Sequence, residues 1–134
     1  VAKKVGSVDV TDPLFDPTPD EETSFTMSGQ ATQQAGGSGP DYDMYFQWDG
    51  GVGSWANLPS SAQNGLSSGD VVAYSNVSDY NEKSITVDAN DAGSYQIRMR
   101  TIDHLDGDAE DLSAAVDVTV SGVGGETRRV FLVN

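Results

Sequence analysis

His104 is the one histidine of the 134-residue chain, and the chain has no cysteine. Thiolate nucleophiles, disulfides and cysteine-ligated zinc are thereby excluded. No Gly-x-Ser-x-Gly elbow, phosphate loop or His-x-x-x-His pair accompanies His104, so it reads as a solvated loop histidine and no catalytic residue is assigned. Carboxylates are abundant. The run Asp103, Asp106, Asp108, Glu110 and Asp111 could gather hard oxygen ligands around calcium, which takes about six to eight oxygens, although its spacing is not that of an EF-hand. Asp9, Asp12 and Asp16 form a second, weaker group. The expectation is that these acids are solvated and mutually repelling, with calcium as the alternative and no other cofactor. Glycosidase-like work by a carboxylate pair would also require a sugar-binding cleft.

Seven Lys and Arg against 21 Asp and Glu give a net charge of -14. Such a chain is repelled by phosphate backbones and anionic lipid surfaces, which argues against a nucleic-acid partner. Lys3, Lys4, Arg128 and Arg129 are four of the seven cations, so the ends differ electrostatically from the body. At the C-terminal end, Arg128-Arg129-Val130-Phe131-Leu132-Val133 joins basic and apolar groups in one strand-like segment. It could complete the domain's own sheet. Alternatively, with Lys3 and Lys4, it could dock on a protein partner by strand addition and charge pairing.

The elements that must position these groups read as short strands. Tyr42, Met44, Phe46 and Trp48 alternate with Asp43, Tyr45, Gln47 and Asp49, the period-two pattern of a strand with one strongly apolar side. Tyr95, Ile97, Met99 and Thr101 repeat the pattern against Gln96, Arg98 and Arg100. Further strands are expected over Val5–Val10, Thr23–Ala31, Asp70–Ser75, Lys83–Asp88, Leu112–Val120 and Arg128–Val133. Pro13, Pro17 and Pro19 mark an extended edge or connection. The Gly50–Gly69 segment is turn-rich, with room for one helical turn near Pro59–Gln63. The strand Leu112–Val120 is expected to alternate through Ala114, Val116, Val118 and Val120. No apolar run approaches the roughly 20 residues of a membrane helix. No signal peptide is legible, and Val1 has the look of a native start after loss of Met. About eight strands in residues 1–134 make one all-β domain, a sandwich more than a barrel, with short extensions at both ends.

Asp91-Ala92-Gly93-Ser94-Tyr95-Gln96-Ile97 resembles the Asp-x-Gly-x-Tyr-x-Cys segment that opens strand F of immunoglobulin domains, with Ile97 at the cysteine position. The resemblance implies an immunoglobulin-like antiparallel β-sandwich and a Tyr95 hydroxyl that ties down the preceding turn. It also implies Phe25 or Met27 opposite Ile97, and Phe46 or Trp48 as the buried aromatic of the central strand. The stretches VGSVDVTDP and SFTMSGQAT are similar to the opening of bacterial Ig-like domains. AGSYQIRMRTID resembles a strand of PKD-like modules.

Domains of this kind occur in cell-surface adhesins and as accessory domains on phage capsids and tails. A non-enzymatic role follows as the expectation, most specifically a virion component, either a capsid decoration or a tail accessory protein at the virion surface. Its partner would be a capsid or tail subunit, and possibly a second copy, without membrane insertion. The alternative is a module of a secreted or cell-surface adhesin, binding calcium or glycan. In a polysaccharide-binding module, Tyr45, Trp55, Tyr74 or Tyr80 would serve as stacking platforms, against the simpler reading that they are scattered packing residues.

Overall fold

Alternating apolar residues build two antiparallel sheets packed face to face. The computed structural model describes residues 5–33, 40–50, 53–60, 65–70 and 73–122. Among these, ten strands occur in chain order: β1 Val5–Asp12, β2 Thr23–Gln33, β3 Tyr42–Asp49, β4 Ala56–Asn57, β5 Leu66–Ser67, β6 Ala73–Val77, β7 Lys83–Ala89, β8 Gly93–Asp103, β9 Ala109–Leu112 and β10 Val116–Val120. One sheet has the order β1-β2-β7-β5. In the other, six-stranded sheet, β3 and β8 form the centre, β4 and β6 flank β3, and β9 and β10 flank β8. This is the immunoglobulin-like sandwich expected above.

The core lies between the sheets. Tyr42, Met44, Phe46, Ile97, Met99 and Val118 from one sheet, with Met27, Ala31, Val87 and Ala89 from the other, are fully buried. Burial of a large aliphatic or aromatic side chain contributes about 1.5–3 kcal/mol, so this cluster is the main source of stability. Gly29 of β2 leaves room for the facing sheet, since an added Cβ would stand 2.5 Å from Met99 Sδ. Trp48 is half-buried, its ring 5.9 Å from that of Tyr95.

The proline-rich connection is part of the sheet system. The N–H of Thr119 donates to the Pro17 carbonyl at 3.1 Å and that of Ser121 to Pro19 at 2.8 Å, while Glu21 N–H returns a bond to the Ser121 carbonyl at 2.8 Å. After pairing with β2, the chain thus crosses to the second sheet and runs parallel to β10, with a bridge between Asp20 and Ser121. Pro17 and Pro19 fit because the pairing asks them only for acceptors, and proline has no N–H to leave unpaired.

Two expected strands differ in register. Arg100 faces Leu112, whereas Ile97 faces Val116, so one extra residue lies between β9 and β10. One extra residue reverses the inward and outward alternation. Leu112 is therefore 44% exposed and Ala114 is exposed, while Val118 and Val120 are buried, which corrects the expected unbroken alternation. Ser113 closes the irregularity: its N–H donates to the Met99 carbonyl at 3.0 Å, and its Oγ accepts from Met99 N–H at 2.8 Å. A similar shift at Gly6 lets Val5 and Val8 both face the core despite their odd spacing. The end of the acidic run, Glu110 and Asp111, lies in strand β9. The helical turn near Pro59–Gln63 and the strand Arg128–Val133 fall partly or wholly outside the described residues.

Candidate functional site

The acidic run begins inside the fold. Asp103 ends β8 with its side chain fully buried. One carboxylate oxygen accepts the Val5 N–H at 3.0 Å, and the other accepts the Leu105 N–H at 3.0 Å. The second bond caps a 3₁₀ turn over His104–Asp106, which ends at Gly107 in the left-handed conformation, φ 62°. Helix starts prefer such a side-chain acceptor because their first N–H groups lack partners.

His104 departs from the expected solvated histidine. Its Nε2 lies 2.9 Å from Asp43 Oδ1 of β3, and its Nδ1 lies 3.0 Å from Asp108 Oδ1. The imidazole therefore joins a central strand to the turn after β8. Hydrogen bonds to Asp43 and then Asp108 push its pKa up to about 9 against an opposing desolvation, so it is cationic at neutral pH. Burial alone would raise Asp43, but hydrogen bonds from His104 and the Asn76 N–H outweigh it and hold the carboxyl below its usual range. The Asn76 N–H, at 2.9 Å, belongs to the register shift between β3 and β6. Asp43 thus collects an irregular backbone donor as well as the histidine.

The other proposed calcium ligands have separate surroundings. Glu110 pairs with Arg100, and Asp111 stands in β9 opposite Thr101. Asp106 lies within the 3₁₀ turn. Asp9, Asp12 and Asp16 are exposed along β1 and the connection that follows it. Among the described residues, no group of three or more His, Asp or Glu side chains converges in a way that could hold a metal ion. Lys3, Lys4, Arg128, Arg129, Val130, Phe131 and Leu132, the expected docking residues, lie outside the described residues.

Two features of the surface stand out. Leu14 and Phe15, between Pro13 and Pro17, are 75% and 85% exposed. Their sequence signal was an apolar pair enclosed by prolines, overlooked because the segment reads as a connection. The second feature is the outer face of the six-stranded sheet. There the Arg98 guanidinium lies 4.2 Å from the centre of the Trp55 ring and that of Arg100 lies 5.4 Å from Tyr45. Tyr74 and Tyr80 instead pack on the core, against Phe46 at 6.2 Å and Tyr42 at 5.9 Å. A depression of about 270 Å³ lies along β8 and β10, lined by Ser94, Tyr95, Gln96, Asp117, Val118 and Thr119. Its residues offer no nucleophile–base pair.

The turn before β8 meets the resemblance found in the sequence. The Tyr95 hydroxyl donates to the Asp91 carbonyl at 2.9 Å. A Cβ at Gly93 would stand 3.0 Å from the Tyr95 hydroxyl oxygen, which explains the glycine in Asp-x-Gly-x-Tyr. The chain matches no family model and no curated protein. Solved structures do match. The PKD domain of an M14-like peptidase from a Thermoplasmatales archaeon is 14% identical, with 90% of this chain and 99% of that one covered and a TM-score of 0.56. The fold is a PKD-like, immunoglobulin-like sandwich. The sensor domain of the anti-sigma factor RsgI4 in Pseudobacteroides cellulosolvens gives 11% identity, coverage of 92% and 100%, and a TM-score of 0.55. Domains 4 and 5 of the S-layer protein SbsC give 15% identity and a TM-score of 0.53. There 90% of this chain covers 54% of the other, so the sandwich spans about half of that two-domain structure. Identities this low establish the architecture alone.

Proposed function

We propose that this sandwich is a non-enzymatic binding or structural module displayed on the outside of a particle or cell, and more finely a virion component of the capsid-decoration or tail-accessory kind. The observation that supports a non-enzymatic role is the placement of His104. The one side chain of the chain with an ordinary pKa near neutrality is held between Asp43 and Asp108 as a structural cation, where it is a poor general base. A strongly acidic surface supports solubility in an exposed setting. Attachment through Lys3, Lys4 and Arg128–Leu132 to a capsid or tail subunit remains part of the proposal.

The likeness to S-layer domains favours a second reading, a module of a cell-surface protein. Quantitative mass spectrometry of purified virions and of washed cell-envelope fractions separates the two. The virion reading expects the chain in fixed stoichiometry to the major capsid or tail protein. Its presence in envelope fractions and absence from virions would overturn that reading in favour of the second.

A further inference from the structure

We propose that the outer face of the six-stranded sheet binds a neutral polysaccharide, with Trp55 and Tyr45 as stacking platforms and Arg98, Arg100, Asn57 and Glu110 as hydrogen-bonding groups. This deepens the binding-module reading and does not depend on whether a virion or a cell carries the module.

The placement follows from register. Residues directly opposite one another in an antiparallel pair share a face. Tyr45 opposes Arg100 and Gln47 opposes Arg98 across β3 and β8, Asn57 opposes Gln47 on β4, and Leu112 opposes Arg100 on β9. All therefore belong to the side away from the core. Lys83, Arg98 and Arg100 are the only Lys or Arg residues among residues 5–122, so two of those three stand on this one face. Both lie against aromatic rings.

The polar groups are fixed in advance. Arg98 Nε donates to Gln47 Oε1 at 2.9 Å, and Gln47 Nε2 donates to Asn57 Oδ1 at 3.1 Å. Arg100 pairs with Glu110, and the Tyr45 hydroxyl donates to Asp43 at 3.3 Å. Arg98 and Arg100 are two residues apart on one strand, so the two ring–guanidinium stacks repeat along β8 at about 6.6 Å. Asn57 and Glu110 are exposed, whereas Trp55 and Tyr45 are half-buried, held in place without being sealed from solvent.

A pyranose ring presents an apolar C–H face and a rim of hydroxyls. Aromatic rings with fixed amide, guanidinium and carboxylate neighbours match both parts, and pre-fixed groups lose little entropy on binding. Two features favour an uncharged ligand. The chain carries -14, which repels a polyanion, and the Arg100 charge is already matched by Glu110.

Affinity gel electrophoresis of the full chain in soluble glucomannan, xyloglucan or hydroxyethylcellulose, with polygalacturonate as the anionic counterpart, tests the proposal. Retardation by at least one neutral glycan is expected, weakened about tenfold or more in Trp55→Ala and in Tyr45→Ala. Asn57→Ala and Glu110→Gln are expected to weaken retardation as well. Glu110→Gln alters an exposed side chain and should melt like the parent, which keeps the test decisive should a ring variant, or Asn57→Ala with its loss of the acceptor for the buried Gln47 amide, fail to fold. Retardation by none of the neutral glycans, by polygalacturonate alone, or equally in all four variants overturns the proposal. None of these results bears on recovery of the chain from virions or envelopes, so the proposed location stands or falls separately.

Discussion

The backbone N–H of Val5 donates to the Asp103 carboxylate at 3.0 Å, joining residues 98 positions apart. The same carboxylate caps the His104–Asp106 turn through Leu105 N–H, so one buried side chain anchors the start of β1 and the end of β8. Asp103→Ala removes both acceptors and leaves two donors to be satisfied in a buried place. A loss of about 1–3 kcal/mol per abandoned group is the ordinary scale. Urea melts of the variant should show a clear fall in midpoint with an unchanged slope. A fall below about 0.5 kcal/mol would mean that the anchor carries little of the fold's stability.

The His104 clamp makes stability depend on pH. Its folded pKa of about 9 stands above the ordinary 6.5, so the folded state holds a proton that the unfolded state releases between those values. The contribution is therefore complete below about pH 6.5 and is lost as pH rises through about 9. Asp43 acts with the opposite sign. Its lowered pKa gives a contribution present above its ordinary 3.8 and lost as pH falls below it. Thermal melts from pH 6 to 10 should show a decline that His104→Gln flattens. An identical decline in the variant would assign it to other groups.

How far the sequence disclosed these features depended on whether the signal was local. The alternation through Tyr42–Trp48 and Tyr95–Thr101 predicted β3, β8 and their buried faces because a strand's period lies in adjacent residues. The Tyr95–Asp91 tie was implied by the resemblance of Asp91–Ile97 to the opening of immunoglobulin strand F, a motif that lies within adjacent residues. The His104–Asp43 pair joins residues 61 positions apart, and no local pattern marks it. The exposure of Ala114 does not follow from the alternation with Val116, Val118 and Val120, because one extra residue before Val116 reverses it without leaving a compositional mark. The parallel pairing of the Pro17–Glu21 segment was hidden because prolines speak against strands unless only their carbonyls are used.

Gly29 and Met99 should behave as one packing unit. A methyl group at Gly29 would meet the Met99 thioether at 2.5 Å. Gly29→Ala is expected to cost about 1–3 kcal/mol, as overpacking does. Met99→Ala alone should cost about 2–5 kcal/mol through the cavity it leaves. The double variant should be more stable than the sum of the two losses predicts, because the new methyl occupies vacated space. Strict additivity in a double-mutant cycle would show that the two sites do not share that space.

Thr101 offers a substitution expected to stabilise. Its side chain is fully buried in β8, and its hydroxyl has no hydrogen-bond partner among the described residues. Thr101→Val keeps the branched shape and removes a polar group that gains nothing from burial. A rise of about 1 kcal/mol is expected in denaturant melts, since an unsatisfied hydroxyl costs about 1–3 kcal/mol. A loss of similar size would reveal a bond to that hydroxyl.

The last prediction concerns calcium at Asp103, Asp106, Asp108, Glu110 and Asp111. An ion there would need about six to eight oxygens at about 2.3–2.6 Å. Asp103 already accepts two N–H groups, Asp108 faces a cationic His104, and Glu110 faces Arg100. Recruiting them would break the cap and both ion pairs, and would bring calcium beside the imidazolium. Millimolar calcium is therefore expected to leave the melting temperature unchanged, apart from the gradual screening that magnesium produces equally. A ligand selective for the folded state would instead raise it in a saturable way. A saturable rise specific to calcium, abolished by Asp106→Asn with Asp108→Asn, would show that the turn rearranges to bind the ion. His104→Gln then distinguishes the causes: if the cation at His104 is what opposes binding, its removal should create a calcium response where the parent has none.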